Sequence, residues 1–291
     1  MKNNPMFRRP YSKALIAAVA AMLVAVSQSV LSDVIDWQGS KQQGGLLLGK
    51  IPSGYSVSYE GRVLKSTPEG HFLIGLGRLA PPTIAVLLQA PSGNQTVHEL
   101  RIAQRQYKIQ RVDGVPQKTV IPPATELARI RSDTALVKRA RKEITNDLDF
   151  LAGFERPLVG PITGVYGSQR VYNGIPKSPH YGLDYAAPKG TLVMAPASGT
   201  VRMAHRDLFY SGGTLIIDHG HGLSSTFLHL SDILVAVGTR VNRGEAIAKV
   251  GSTGRATGPH LDWRMNWHKQ RIDPALVLLA LPVESQLGTA E

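Results

Sequence analysis

Short runs of apolar residues, each bounded by Gly, Pro, Asn or Ser, follow one another from about Gly44 to Gln110. Runs of this kind between turn-forming residues are typical of β-strands. The predicted strands are Gly45–Gly49, Tyr55–Tyr59, Arg62–Lys65, His71–Ile74, Ile84–Leu88 and Val97–Ala103. Because short, closely spaced strands favour a small β-sandwich, we assign residues 33–111 to an N-terminal domain of that class.

A proline-containing segment at residues 112–123 comes next, and a helical pattern follows it from Thr125 to about Asp149. Apolar residues recur there at four-residue steps, which predicts a helix with one apolar face. They are Leu136, Ala140, Ile144 and Leu148, and the basic residues around them are Arg129, Arg131, Lys138, Arg139, Arg141 and Lys142. A basic helix face is usually solvated; the alternative is that it contacts an anionic polymer or masks a cleft in the next domain. We assign residues 112–156 to a linker that carries this basic helix.

The β pattern returns at about Pro157 and continues to Pro282. The predicted architecture is therefore all-β with two domains, namely the N-terminal β-sandwich, the helical linker, and a C-terminal β-sandwich or barrel-sandwich-like domain at residues 157–282. Residues 283–291 form a tail. A content of 29 Gly and 19 Pro agrees with the many turns that such a fold needs.

The first 32 residues have the layout of a secretory signal peptide. Residues 1–13 carry four basic side chains and no acid, and a run of 13 residues that is rich in Ala, Val and Leu follows at 14–26. Small residues then recur up to Ser32, which predicts cleavage before Asp33. A membrane-spanning helix needs about 20 apolar residues. We therefore expect an exported protein without a stable transmembrane anchor after cleavage; the alternative is an uncleaved N-terminal anchor.

Charge and cysteine content narrow the classes of function. Removing the four basic residues of the signal peptide reduces the formal charge of +12 to +8, which suits an anionic cell envelope better than nucleic acid. With no cysteine in the sequence, disulfides, thiol nucleophiles and Cys-based metal sites are excluded. Any metal site must therefore use His and carboxylate ligands.

Seven of the nine histidines lie between positions 180 and 268, and the pairs His180/Asp184 and His260/Asp262 are candidates for a shared metal site. His180 and Asp184 are separated by Gly182 and flanked by prolines, which argues against a helix. In a straight strand their Cα atoms would lie about 13 Å apart, at roughly 3.3 Å per residue. Binding one metal would therefore require the chain to bend between them, and Gly182 is the obvious position for the bend.

The second pair lies in the segment from His260 to Trp267. Period-two alternation places Leu261, Trp263, Met265 and Trp267 on an apolar face, and His260, Asp262, Arg264 and Asn266 on the opposite one. The apolar face is predicted to be core, and the polar face to line a cleft or solvent. His260 and Asp262 lie about 6.6 Å apart along such a strand, close enough to converge on one site. His229 ends another apolar strand.

These segments together resemble the lysostaphin/LytM-type zinc metallopeptidases of peptidoglycan. The resemblance covers about 120 residues in order. It is carried by His180-x-x-x-Asp184-Tyr-Ala-Ala-Pro, Ala195-Pro-Ala-Ser-Gly-Thr-Val201, Ile217-Asp-His-Gly220, His229-Leu-Ser, Val241-Asn-Arg-Gly244 and Gly251-Ser-Thr-Gly-Arg-Ala-Thr-Gly-Pro-His260. The signal peptide, β domain and linker also resemble Gram-negative members.

The resemblance implies a periplasmic or secreted zinc endopeptidase that hydrolyses peptide cross-links of peptidoglycan. It implies that one Zn²⁺ per chain is bound by His180 and Asp184, and that His229 and His260 are the catalytic histidines. The family's third ligand is the second His of a His-x-His pair, and here that position is Asp262, which can bind zinc at about the same distance. Two carboxylates would also suit Mn or Co. Tyr172, Asn173 and Arg264 are candidates for substrate contact.

Peptidoglycan peptide stems are the expected partners, with other envelope proteins as further partners and no role for nucleic acid. The main alternative is a degenerate family member without zinc that binds or activates other wall hydrolases, for which Asp262 is the argument. An anion-binding envelope adaptor would explain the charge but not the histidines. His219 and His221 also spell His-x-His, but a Gly-rich hairpin surrounds them, so we expect no metal there. His71, His98, His205 and His268 are predicted surface residues.

Overall fold

The N-terminal strands form two antiparallel sheets in a computed structural model that describes residues 34–113 and 124–283. One sheet has the order β1-β2-β5 and the other the order β4-β3-β6-β7, while β8 pairs elsewhere. The strands are β1 (Asp36–Gly39), β2 (Leu46–Lys50), β3 (Ser56–Tyr59), β4 (Arg62–Val63), β5 (His71–Gly75), β6 (Thr83–Gln89), β7 (Gln95–Arg101) and β8 (Ile109–Val112).

Local sequence explains these elements. In β6 the residues Ile84, Val86 and Leu88 are buried while their neighbours are more exposed, as alternation predicts. Between β3 and β4, Glu60 and Gly61 both have positive φ (49° and 70°), which is the conformation of the two-residue hairpin turn that matches strand twist. The predicted signal peptide (1–32) and most of the predicted tail lie outside the described residues, as do residues 114–123.

The linker helix is shorter than its apolar pattern predicts. A 3₁₀ turn at Ala124–Glu126 leads into helix α1 (Leu127–Ala140), in which Leu136, Val137 and Ala140 pack against a buried cluster of the C-terminal sheet. The prediction that the helix continues to about Asp149 is wrong. Backbone and side chains beyond Ala140 bond to the sheet instead: the Thr145 hydroxyl donates to Asp218 at 2.9 Å and the Thr145 carbonyl accepts from His221.

The C-terminal part of the chain contains thirteen strands and one helix among the described residues. The strands are β9 (Ile162–Gly164), β10 (Gln169–Tyr172), β11 (Ile175–Pro176), β12 (Gly182–Ala186), β13 (Leu192–Met194), β14 (Gly199–Leu208), β15 (Gly212–Asp218), β16 (Leu223–Leu230), β17 (Asp232–Ile233), β18 (Arg240–Val241), β19 (Ala246–Lys249), β20 (His260–Trp267) and β21 (Gln270–Ile272). Asp273 is the N-cap of helix α2 (Pro274–Ala280), and its carboxylate accepts a hydrogen bond from the Ala275 N–H at 3.0 Å. The all-β prediction is confirmed.

One eight-stranded sheet dominates this region, with the order β18-β14-β15-β16-β20-β12-β9 and β21 paired to β20. Smaller sheets are β13-β19-β17 and β11-β10-β8. In β20 the side chains of Leu261, Trp263 and Met265 are fully buried, as the alternation predicts. The opposite face is more enclosed than expected, because Asp262 and Asn266 are also buried. None of the described helices combines the length and the apolar character required to cross a bilayer.

The N-terminal and C-terminal regions pack closely, and the described residues from Ile35 onward form one compact unit. Strand β8 pairs in parallel with β10, and Arg105 forms a 2.8 Å salt bridge with the buried carboxylate of Asp273. At the centre of the contact, Gly75 of β5 lies against Trp267 of β20 and Ile272 of β21. The division into two domains stays a prediction, since the strands of the two regions share sheets and core.

The close approach at Gly75 predicts that Gly75→Ala destabilises the protein. A Cβ there would lie 2.6 Å from the Trp267 Cβ and 3.1 Å from the Ile272 Cγ2. Overpacking of this kind costs about 1–3 kcal/mol, which a urea unfolding curve measures as a lower midpoint. Gly258→Ala is the control, because a Cβ at that position meets open space. Equal midpoints for the two variants would contradict the packing described here.

Candidate metal centre

Two carboxylates face each other across the pair formed by β12 and β20. The register places Asp184 directly opposite Asp262 and Ala186 opposite His260. His180 lies just before β12, and its Nε2 atom is 3.2 Å from Oδ1 of Asp184. One ligand atom each of His180, Asp184 and Asp262 lies within 4.8 Å of the other two. The chain therefore brings together the two groups that a straight strand would separate.

The donor atoms of this group suit a divalent cation. Nε2 of His180 and Oδ1 of Asp184 are buried and have no hydrogen-bond partner within the described residues. Buried polar atoms are nearly always paired, so two such atoms side by side point to a missing partner between them. One imidazole nitrogen and two carboxylate oxygens are ligands that zinc accepts, and three protein ligands leave a fourth position open.

Two glycines make room for the carboxylates. A Cβ at Gly164 would lie 2.1 Å from Oδ2 of Asp184, and a Cβ at Gly182 would lie 2.2 Å from Oδ1 of Asp262. Gly182 is the first residue of β12 and pairs with Arg264. Gly182, the position predicted for a bend, lies in regular register with β20 and has a steric role that the sequence did not reveal. Any side chain there would displace the carboxylate of the neighbouring strand.

Arg264 is bound to Asp262, a contact that sequence reasoning missed. Its Nε atom donates to both carboxylate oxygens at 3.0 Å, and its Nη2 atom donates to Oδ2 at 2.5 Å. Burial disfavours the charged form of Asp262, but the guanidinium outweighs it and holds the pKa of this carboxyl below its usual range. The two residues lie on one face of β20, two positions apart, which is the signal that could have predicted the pair.

His180 responds to the same charges. Burial favours the neutral imidazole, but the carboxylate of Asp184, 3.2 Å from Nε2, and the negative charge of Asp262 outweigh it, so the pKa of His180 is raised. The site is thus strongly electronegative around His180, which attracts a proton or a metal cation. Arg264 supplies part of the balancing positive charge.

Two further histidines lie beside the carboxylates with their rings held alike. Nδ1 of His229 lies 2.8 Å from the Thr253 carbonyl, and Nδ1 of His260 lies 2.9 Å from the Gly258 carbonyl. A carbonyl only accepts, so each Nδ1 carries a proton, and in the neutral form of either ring the lone pair is on Nε2. The ring centroids are 4.8 Å apart. Burial lowers the pKa of His229, which favours the neutral form that can accept a proton.

His229 is positioned by an unusual backbone. Its φ of +63° is rare outside glycine and costs energy, so the surrounding contacts must hold it. Thr253 provides several of them, because its carbonyl accepts from the His229 ring and its hydroxyl donates to the Leu230 carbonyl at 2.9 Å. The Gly213 N–H in turn donates to the Thr253 hydroxyl. The segment before β20 thus fixes the orientation of this imidazole.

The other residues singled out in the sequence lie elsewhere or have structural partners. Tyr172 ends β10 and Asn173 follows in the turn to β11, where Asn173 has a φ of +48°. His219 is fully buried in the hairpin between β15 and β16, where its ring bonds to the Ser198 carbonyl and the Ser225 hydroxyl. Four other histidines, predicted to be surface residues, are half-buried instead. They are His71, His98, His205 and His268.

Residues 178–274 match the model of Peptidase family M23. Among curated proteins, a DD-carboxypeptidase/endopeptidase Mpg of Neisseria meningitidis is 41% identical over 111 residues, which are 38% of this chain and 25% of that protein. Peptidoglycan DD-endopeptidase ShyA of Vibrio cholerae is 44% identical over 88 residues, 30% of this chain and 20% of that protein. The chain thus spans about a quarter or less of the length of these relatives.

One solved structure extends the similarity beyond that segment. A crystal structure from Pseudomonas aeruginosa assigned to peptidase M23 has a TM-score of 0.65 and 27% sequence identity, and it covers 84% of this chain and 97% of that one. The likeness therefore includes much of the region before residue 178.

The glycine cradle predicts that Gly164→Ala weakens metal binding. The added methyl group displaces the Asp184 carboxylate, and a misplaced ligand costs about tenfold or more in affinity. Titration of the metal-free protein with Zn²⁺ by calorimetry measures the change. Gly75→Ala is the matched control, because it adds a crowded methyl group that touches neither carboxylate. Unchanged Zn²⁺ affinity in Gly164→Ala would contradict the assignment of Asp184 as a ligand.

Proposed function

We propose that this protein is a zinc-dependent endopeptidase that hydrolyses peptide cross-links of peptidoglycan, because residues 178–274 match the model of Peptidase family M23. Relatives over this segment include proteins named peptidoglycan DD-endopeptidase. The observation that carries the proposal is the convergence of His180, Asp184 and Asp262, in which two buried donor atoms have no partner in the described part of the chain.

In this proposal, one zinc ion per chain is bound by His180, Asp184 and Asp262. When bound, zinc supplies Lewis acidity toward the nucleophilic water and the scissile carbonyl. The Asp262 carboxylate can bind Arg264 and a metal at once, because its two oxygens offer about four lone-pair positions. Arg264 then acts from outside the metal's ligand set by fixing the orientation of that carboxylate.

His229 and His260 carry the proton transfers. The lone pair on Nε2 of one histidine accepts a proton from water as its oxygen bonds to the peptide carbonyl carbon. The proton is then delivered to the leaving nitrogen as the C–N bond breaks. The second histidine, when protonated at both nitrogens, donates from Nε2 to the developing oxyanion. Either residue can take either role, since both hold Nδ1 against a carbonyl in the same way.

The signal-peptide pattern of residues 1–32 supports action in the periplasm or outside the cell, where peptidoglycan is accessible. The substrates in this proposal are the peptide stems of the cross-linked polymer. Other envelope proteins are further partners, and the net positive charge suits an anionic cell envelope.

One observation favours a second function, that of a binding or activating partner without catalysis. The guanidinium of Arg264 already neutralises the third ligand, Asp262, and its positive charge opposes a nearby metal cation. In this alternative Arg264 is an internal substitute for part of the metal's charge. Metal content separates the two functions, because only the enzyme retains stoichiometric zinc.

His229→Ala is expected to reduce hydrolysis of cross-linked muropeptides by about 10²–10⁴-fold, since it removes one of the two proton-transferring groups. Chromatography of the digested muropeptides measures the rate, and zinc content should remain unchanged. His205→Ala is the control, because His205 lies in β14 and its ring accepts from the N–H of the nearby Asp207. Full activity in His229→Ala would refute this catalytic role, and a zinc-free, inactive parent protein would support the non-catalytic alternative.

Asp262→Asn is expected to lower Zn²⁺ affinity by about tenfold or more, with a parallel loss of hydrolysis at limiting zinc. The amide oxygen can still accept from Arg264, but the ligand charge is gone. Asp232→Asn is the matched control, because Asp232 is likewise paired with an arginine, Arg206, at 3.1 Å. Retention of zinc with parental affinity in Asp262→Asn would mean that the third ligand lies elsewhere.

A further inference from the structure

A polar cleft separates the N-terminal sheets from the hairpin of β20 and β21. Its volume is about 430 Å³, within the range of roughly 300–1,000 Å³ that is usual for ligand pockets. One wall comes from Tyr59, Glu60 and the segment 77–81, and the other from Tyr181 and the segment 269–271. The first wall lies outside the matched peptidase segment. The cleft therefore combines residues of both regions of the chain.

The charged side chains that line this cleft are mostly cationic. Arg78, Lys269 and Arg271 line it together with one carboxylate, that of Glu60. Arg78 is held in place by a 3.0 Å hydrogen bond to the Gly167 carbonyl and by the Tyr107 ring, 4.3 Å from its guanidinium carbon. A cleft with this balance of charge attracts anions.

Arg271 connects the cleft to the metal centre. Its guanidinium lies over the ring of Tyr181 at 4.6 Å, and Tyr181 directly follows the ligand candidate His180. In the register of β21 against β20, Arg271 lies opposite Asn266. Asn266 is on the same face of β20 as Arg264 and Asp262. Within the described residues Arg271 forms no ion pair with a carboxylate, so its charge is available to a ligand in the cleft.

Crowding of positive charge near Arg271 supports an anionic occupant. Partial burial lowers the pKa of Arg271, and the positive charge of Arg264 lowers it further. Burial and the charges of Arg271 and Arg264 likewise lower the pKa of Arg141 to about 10. Arg141 reaches this face from the linker, with its Nη2 atom donating to the Thr226 hydroxyl at 2.6 Å. An added carboxylate would relieve this repulsion.

We propose that the cleft binds a carboxylate-bearing segment of the peptide substrate and that Arg271 is the specificity-determining residue that pairs with the carboxylate. This inference rests on the proposed function, because it places the segment beside the peptide bond that is cleaved at the metal centre. The planar guanidinium suits two parallel hydrogen bonds to a carboxylate, and Tyr181 holds its plane. Lys269 adds charge without fixed geometry.

The test compares binding of one cross-linked muropeptide with that of the same compound in which the free carboxylates are amides. Binding is measured by calorimetry on the catalytically silenced His229→Ala protein, so that no hydrolysis is required. The carboxylate form should bind about tenfold more tightly at low salt, and Arg271→Gln in the same background should abolish the difference. Arg131→Gln removes the same charge from an exposed position of α1 and should leave the difference intact.

Equal affinity for the two muropeptides, or a difference that survives Arg271→Gln, would overturn the assignment of the cleft. In the active protein, Arg271→Gln should raise KM for the carboxylate form by a similar factor with little change in kcat, since a remote binding contact is lost. Failure of the proposed function would instead appear as an absence of hydrolysis in the parent protein. Selective binding by the silenced protein is independent of that result, so the two failures are distinguishable.

Discussion

The pairing of Asp184 with Asp262 across two adjacent strands is the constraint on which the site depends. Residues directly opposite in an antiparallel pair have Cβ atoms about 4.5–5.5 Å apart, and like charges in that position repel each other. Because Asp262 is buried and Asp184 is partly buried, this pair of carboxylates must be balanced by nearby positive charge. His180 contacts one of them and Arg264 the other. Nε2 of His180 and Oδ1 of Asp184, which have no hydrogen-bond partner in the described residues, mark where a bound cation would complete the balance of charge.

The residues around Asp184 and Asp262 leave space for the two carboxylates and fix their positions. Gly164 and Gly182 leave the space that the two carboxylates occupy. The reverse face of β20 is anchored in the core by the buried side chains of Leu261, Trp263 and Met265. The packing of these neighbours therefore sets the position of Asp262. His229 and His260 are likewise fixed through backbone carbonyls rather than through other side chains. The side chains of the candidate site are thus oriented by contacts within the protein itself.

Positive charge accumulates around the carboxylates, and arginines from several parts of the chain supply it. Arg264 neutralises Asp262 directly, while Arg271 and Arg141 approach from a neighbouring strand and from the linker. The N-terminal sheets pack against β20 and β21 and supply the second wall of the cleft beside Tyr181. A peptide bound in this cleft, as we propose, would contact both regions of the chain.

The sequence by itself determined most of the N-terminal strands, the all-β class and the residues that come together at the candidate site, but it did not reveal β1 or β8. Alternation in β20 also determined that His260, Asp262 and Arg264 share a face, since strand periodicity is a local property. Only the tertiary structure decided the rest. The linker helix ends at Ala140 because Thr145 bonds to the sheet, and His219 is buried because Ser198 and Ser225 surround its ring.

The tertiary structure also decided which side chains pair with each other at the candidate metal centre. Spacing alone allowed Arg264 to contact a substrate, whereas the register of β12 against β20 places Asp184 opposite Asp262 and leaves Arg264 to bind the second carboxylate. Local pattern specifies which face a side chain occupies. Its neighbours on that face come from strands distant in the sequence, so its charge partners and burial depend on a register that only the folded sheet defines.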